Sequence, residues 1–354
     1  MSATTLTPRT SELTAGQLPR FTAIAMLVVA VAITAGVLSL FSAAGVGNVA
    51  IISVLVFLAA MFALSWSVEG MRKAKDRNAR YIATGAFLVA LLPLVSLLWQ
   101  TVAKGIERMD GQFFSYSMRN VIGDGGGAVH AIWGTLIITG IASLISVPIG
   151  LFAAIYLVEY SAGSKLAAAI RFFVDVMTGI PSIVAGLFAY TVFSLLFGPG
   201  TNNGLSGAVA LSVLMIPTVV RSVEEMLRLV PNELREASYA LGVPKWRTIA
   251  KVVLPTALAG IVTGVVLSVA RVIGETAPLL VTAGITASLN INPFSDPMAT
   301  LPVFVYYQYV TPGIPQDPFY ARAWAGALTL ILIVMGLNAI GRLIAWKFAP
   351  KSGR

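Results

Sequence analysis

One arginine stands alone in an apolar run of this 354-residue chain. Arg271 lies near the far end of the stretch from Ala257 to Ile273, just ahead of Gly274-Glu275-Thr276-Ala277-Pro278. A charge placed near the middle of a bilayer is costly, so an ionisable group there marks a candidate functional site. Arginine stays charged at physiological pH, and its planar fork makes bidentate, charge-assisted bonds to oxyanions. Gly274 and Pro278 can interrupt the helix and free backbone N–H groups for the same anion. The structural alternative is an ion pair between Arg271 and Glu275, one turn apart, that merely neutralises both. The two readings are compatible if the pair opens to admit a ligand. Arg221 and Glu224 form a similar one-turn pair at the end of another apolar run, with an interfacial salt bridge as the alternative. Thr178, Ser182 and Thr276 lie beside breaks at Pro181 and Pro278 and could add hydroxyl donors, although hydroxyls within spans more often bond their own helix.

These residues need elements to hold them, and the composition says which kind. Hydrophobic residues make up 57% of the chain and charged residues 11%, against roughly 25% charged in a soluble domain. Mean hydropathy is +0.85. The apolar residues fall in runs near the ~20 residues needed to cross a bilayer. Eight spans are expected: Phe21 to Phe41, Val46 to Val68, Tyr81 to Val102, Ala131 to Val158, Phe172 to Phe197, Leu205 to Val220, Ala257 to Ile273 and Ala323 to Trp346. A removable signal sequence competes for the first run, because Arg20 precedes it and Ser42-Ala43-Ala44 is a small-residue site. Signal cores run to about 7–15 residues, and this run is longer. The fold class is therefore an all-α polytopic membrane protein. Zero Cys and a single His, His130, exclude thiolate chemistry and cysteine- or histidine-ligated metal centres.

Positive charge is unevenly placed. The segments grouped with the termini (1–20, 69–80, 159–171, 221–254 and 342–354) carry 19 of the 24 Lys and Arg. The opposite side has Lys104, Arg108, Arg119 and Arg322. By the positive-inside rule both termini and the 221–254 loop are cytoplasmic. The Arg72, Lys73, Lys75, Arg77, Arg80 cluster then reads as a topology determinant against anionic lipid headgroups rather than a nucleic-acid surface. Tyr306, Tyr307 and Tyr309, with Phe304 and Trp324, read as an interfacial aromatic belt.

The 221–254 loop is polar and amphipathic. Asn232 is placed to cap a helix with Glu233 and Glu236 in its first turn, Gly242 suits a left-handed position past its end, and Pro244 can begin the next helix. Ala237, Ser238 and Ala240 leave room for another surface to approach. A polar helix pair jutting from a membrane core is a docking element.

Glu236-Ala237-Ser238, then Gly242, then Val252-x-Leu254-Pro255 resembles the "EAA" loop of ABC importer permeases, with Ser for the third residue and Val for Ile. Met177 to Leu187, Ile216 to Glu225, Arg235 to Trp246 and Arg271 to Leu280 are similar to phosphate-specific permeases of the PstA type. The resemblance implies a type I ABC importer permease core of six spans over residues 81–346, containing the coupling loop 221–254. Two extra N-terminal spans with a basic cytoplasmic loop, over 21–80, depart from the family pattern, and cytoplasmic tails are expected at 1–20 and 347–354. It implies that Glu236, Ala237, Ser238, Gly242, Leu254 and Pro255 serve coupling to an ATPase. It also implies that Arg271, Arg221 and Glu224 serve phosphate passage. The implied partners are a second, PstC-like permease subunit, a PstB-like cytoplasmic ATPase dimer, and a PstS-like external protein delivering phosphate to the 103–129 and 274–322 surfaces, in a bacterial plasma membrane. No Walker A motif occurs in the chain, so ATP and Mg belong to the partner ATPase and no cofactor is expected here. The same fold could carry phosphonate or sulfate. An intramembrane enzyme lacks a catalytic constellation in these residues.

Overall fold

The computed structural model describes residues 16–19, 21–40, 45–161 and 163–348. Most of the expected tails at 1–20 and 347–354 lies outside them. The chain falls into two compact units, Met1–Leu98 and Trp99–Arg354, and the described residues form helices without strands.

In the first unit, α1 (Thr22–Leu40) and α2 (Val46–Glu69) pack side by side, and α3 (Met71–Gly105) begins after a turn at Gly70. Ile24, Val28, Ile33, Ile51 and Leu55 are exposed, as helices require when their solvent is hydrocarbon. Glu69 is buried at the end of α2, where it accepts bonds from the Leu18 N–H (2.9 Å), Ser65 Oγ (2.8 Å) and Arg77 (2.7 Å).

The second unit holds the end of α3, then α4 (Gly111–Ser115), α5 (Val129–Ile155), α6 (Lys165–Thr178), α7 (Ser182–Phe197), α8 (Gly204–Arg228), α9 (Asn232–Ala240), α10 (Lys245–Thr248), α11 (Leu254–Val272), α12 (Ala277–Thr282), α13 (Leu301–Val310) and α14 (Asp317–Phe348). A π turn, Tyr156–Tyr160, extends α5, and another, Ile249–Val253, joins α10 to α11. The core is the parallel pair α5 and α8, where Ser212 Oγ reaches the Ala142 carbonyl (3.5 Å) and Gly150 leaves room for Val219. Without hydrophobic driving force between spans, small residues and packing must bring such helices together. Ile138, Leu211, Met215, Val219, Val223 and Leu227 are buried there with Val253, Ala257 and Ile261. α11 crosses α8 equally closely, since Cβ atoms on Gly260 and Gly264 would lie 2.4 Å from Met226 Sδ and 2.7 Å from Ser222 Cβ.

At the other end of this unit Phe113, Ala128, Ala131, Leu301, Phe304 and Ala325 form a second core. Fully buried Arg322 donates to Gln308 (3.1 Å) and to the carbonyls of Gly123 (2.7 Å) and Gly125 (3.0 Å). Asp110 caps α4 by accepting the Phe113 N–H at 2.7 Å, and this bond, with Arg108 beside it, holds the carboxyl below the usual carboxylate range.

Seven helices among the described residues are long and apolar enough to cross a membrane, and a bent pair brings the number to eight. The span expected from Phe172 to Phe197, with its break at Pro181, is two helices, α6 and α7, bent by 108° at Gly179-Ile180-Pro181. Pro181 has no N–H to continue the ladder, and its ring disfavours helical backbone before it. The span expected at Leu205 to Val220 continues to Arg228, so Arg221 and Glu224 sit within a helix rather than in a loop. The span expected from Ala257 is helical from Lys245 onward. The aromatic belt is only partly one. Phe304 is buried and Tyr307 packs on the main core, because α13 lies against α14, while Tyr309 remains half-exposed against Tyr320 and Trp324.

Candidate anion cavity and docking helix

Three helices meet at a cavity of about 620 Å³. The end of α6 contributes Thr178, α8 contributes Pro217, Thr218, Arg221 and Ser222, and α11 contributes Leu267, Ser268, Ala270 and Arg271. The proline break after Thr178 ends α6 here, and the Gly264–Ser222 contact draws α11 against α8. Two guanidinium groups from different helices thus line one space together with hydroxyls. Thr178, Thr218 and Ser268 donate to carbonyls of their own helices at 2.7–2.9 Å, as hydroxyls in spans commonly do. Their oxygens still offer lone pairs to a protonated oxyanion.

Arg271 has no carboxylate within ion-pair distance among the described residues, and Glu275 lies past the helix end with its N–H on the Val272 carbonyl (3.1 Å). The Arg271–Glu275 pair, the alternative to a ligand role, is therefore not formed. α11 stops at Val272, so the one-turn spacing no longer places the two on a common face. The expected Arg221–Glu224 pair is not formed either. Arg221 bonds Asp175 of α6, and Glu224 holds Arg228 (2.5 Å) and Arg171 (3.4 Å). These groups line a second cleft of about 270 Å³ that shares Arg221 with the first. Arg221 faces both spaces.

The structure brings Thr178, Arg221 and Arg271 together and sets Glu224 in the adjoining cleft. Ser182, Glu275 and Thr276 do not line either space. The residues missed from sequence are Asp175, Arg171 and Arg228, and the hydroxyls Thr218, Ser222 and Ser268. Thr218 and Ser268 each stand three residues before an arginine, on the same helical face, a spacing that could have found them.

The docking loop forms the expected helix pair. Gly242 has φ +73°, its N–H bonds the Tyr239 carbonyl (2.9 Å), and the Val243 N–H bonds the Ser238 carbonyl (3.2 Å). These two bonds close α9 in the Schellman arrangement. Asn232 is not the cap: Pro231 precedes the helix, and the Asn232 Oδ1 accepts from Arg235 instead (3.3 Å). Glu236, Ala237, Tyr239 and Leu241 are exposed. Ser238 faces inward, its hydroxyl 2.8 Å from that of Thr248, so it ties α9 to α10. Leu254 and Pro255 start α11 after the π turn.

The inner membrane component of binding-protein-dependent transport systems matches residues 146–351. Phosphate transport system permease protein PstA 1 of Mycobacterium tuberculosis strain H37Rv is 45% identical over 276 residues, 77% of this chain and 88% of that protein. PstA of Yersinia pestis is 38% identical over 283 residues, 80% and 93% of the two chains. A chain of the MetNI methionine ABC transporter, solved in inward-facing conformations, superposes with a TM-score of 0.52 at 22% identity, covering 63% of this chain and 96% of that one, a likeness of fold. The type I importer architecture, the match over most of the membrane region and the named relatives agree, and this chain belongs to the family of binding-protein-dependent transport system inner membrane components, as a membrane-spanning permease subunit.

Proposed function

We propose that this chain is a transmembrane permease subunit of an ATP-driven importer of inorganic phosphate. The observation that carries the reading is the convergence of Arg221 and Arg271 on one cavity with hydroxyls, in a chain 45% identical to a phosphate permease. Arg271, free of a carboxylate partner, is the principal anion ligand. Arg221 receives the anion as Asp175 lets go, and Glu224 with Arg171 and Arg228 shapes the mouth beyond. A guanidinium gives two parallel N–H bonds to a phosphate, and the carboxylates beside Arg221 keep the site from becoming a trap.

The chain works in a bacterial plasma membrane with both termini and α9 cytoplasmic. There α9 docks on an ATPase dimer through Glu236, Ala237 and the residues up to Gly242. A second permease subunit completes the pathway, and an external phosphate-binding protein delivers the anion. ATP and Mg stay on the ATPase. Cells lacking this chain should lose uptake of labelled phosphate and regain it with the chain restored, and the ATPase should co-purify through α9. Uptake that vanishes for sulfate or phosphonate instead would reassign the cargo.

Residues 81–346 suffice for the transport cycle in this reading, because the cavity and docking helix both lie after residue 170. Deleting residues 1–78 should leave phosphate uptake per assembled complex unchanged even where expression drops. An assembled truncation without transport would assign spans one and two a part in the mechanism.

A further inference from the structure

Arg235 immediately precedes Glu236 in the docking helix, yet its side chain turns inward and is 12% exposed. Its Nε and Nη2 donate to Glu159 Oε1 at 3.1 and 2.8 Å. Nη2 also reaches the Leu227 carbonyl (2.9 Å), and Nη1 the Val230 carbonyl (2.6 Å). One guanidinium therefore binds α9 to the end of α8 and to the π turn that ends α5. Glu159 is 4% exposed. Beside it the Lys245 amino group lies over the Tyr160 ring at 5.0 Å, a second tie from the same loop to the same turn.

Connectivity makes this arrangement consequential. α9 follows α8 through Leu229-Val230-Pro231 and leads through α10 into α11, so the chain itself carries any movement of α9 to those two helices. α5 has no such link, since residues 161–231 intervene. Its packing on α8 reaches α9 only indirectly, and the direct ties are side chains, Arg235 to Glu159 and Lys245 to Tyr160. An exposed ion pair contributes little, but removing one partner of a buried pair leaves an uncompensated charge and is strongly destabilising. π turns interrupt regular helices and recur at functional positions, and this one presents Glu159 and Tyr160 together.

We propose that Arg235 is a positioning residue that locks α5 to the docking helix, so that displacement of α9 moves α5 and α8, and with α8 Arg221, as one body. This rests on the reading of α9 as the ATPase-docking helix. In proteoliposomes holding the complete transporter, Arg235→Gln and Glu159→Gln should keep ATP hydrolysis while phosphate moved per ATP falls at least about tenfold, the 1.4 kcal/mol of one lost link. Arg235→Lys should recover part of it. The Arg235→Gln, Glu159→Gln double variant should regain thermal stability without regaining coupling, because deleting both charges relieves the buried charge but does not rebuild the link.

The chain contains no Cys, which supplies a second route independent of folding. Glu159→Cys with Arg235→Cys, joined by a reductant-cleavable bis-thiosulfonate linker in the assembled complex, should couple while linked and uncouple once cleaved. Native phosphate per ATP after cleavage overturns the lock. If Gly242→Val also keeps the native ratio in the same vesicles, the docking-helix reading fails as well; if Gly242→Val uncouples while the cleaved pair does not, only the lock is lost.

Discussion

Arg271→Gln is expected to abolish phosphate uptake while assembly and nucleotide hydrolysis persist. The amide keeps some bulk and hydrogen bonding but no charge, and two charge-assisted bonds at about 1.5–3 kcal/mol each correspond to a loss of a hundredfold or more. Arg271→Lys should restore part of the rate, since a lysine supplies charge without the fork. The absence of an Arg271–Glu275 pair sharpens the companion experiment. Were Arg271 there to balance Glu275, adding Glu275→Gln to Arg271→Gln would rescue transport, because losing both members of a pair is far milder than losing one. With the two side chains unpaired, the double variant should transport no better than Arg271→Gln alone. Tracer uptake normalised to complex abundance decides it, and rescue would transfer the ligand role to Arg221.

Gly242→Val should uncouple the transporter. Gly242 sits at φ +73° with both Schellman bonds made, and a β-branched residue there is strained whatever space surrounds it. The strain opens the turn between α9 and α10, and the exposed face of Glu236, Ala237 and Leu241 loses its fixed angle. Glu236→Lys should act on the same face by reversing charge in the docking helix. Uptake should fail in both variants while the membrane helices remain assembled. Either variant transporting at the native rate with its ATPase bound would remove the coupling role of this loop.

Much of this was legible from residue type alone. Gly242 announced a left-handed turn because other residues avoid that conformation, and Arg271 announced itself because a lone charge in an apolar run is expensive. What stayed hidden depends on which neighbour a face meets. Arg221 finds Asp175, 46 residues earlier in the chain, whereas sequence spacing suggested a partner one turn away, and Arg235 finds Glu159, 76 residues earlier, where spacing suggested no partner at all. Ser238 looked like a small residue clearing space for a partner and is instead bonded to Thr248. Periodicity reports that a helix has two faces, not what covers each. Pro181 signalled a break, but neither its 108° angle nor the close approach of α7 to α12, where a Cβ on Gly186 would lie 2.6 Å from Pro278 Cα, is written in local sequence.

The most direct test of the account is ATP-driven accumulation of labelled phosphate in proteoliposomes containing the purified complex, with sulfate and a phosphonate as competitors. The account predicts accumulation that requires ATP, resists both competitors and disappears with Arg271→Gln. Accumulation of sulfate or phosphonate in preference to phosphate, or phosphate uptake unaffected by Arg271→Gln at normal complex abundance, would contradict it.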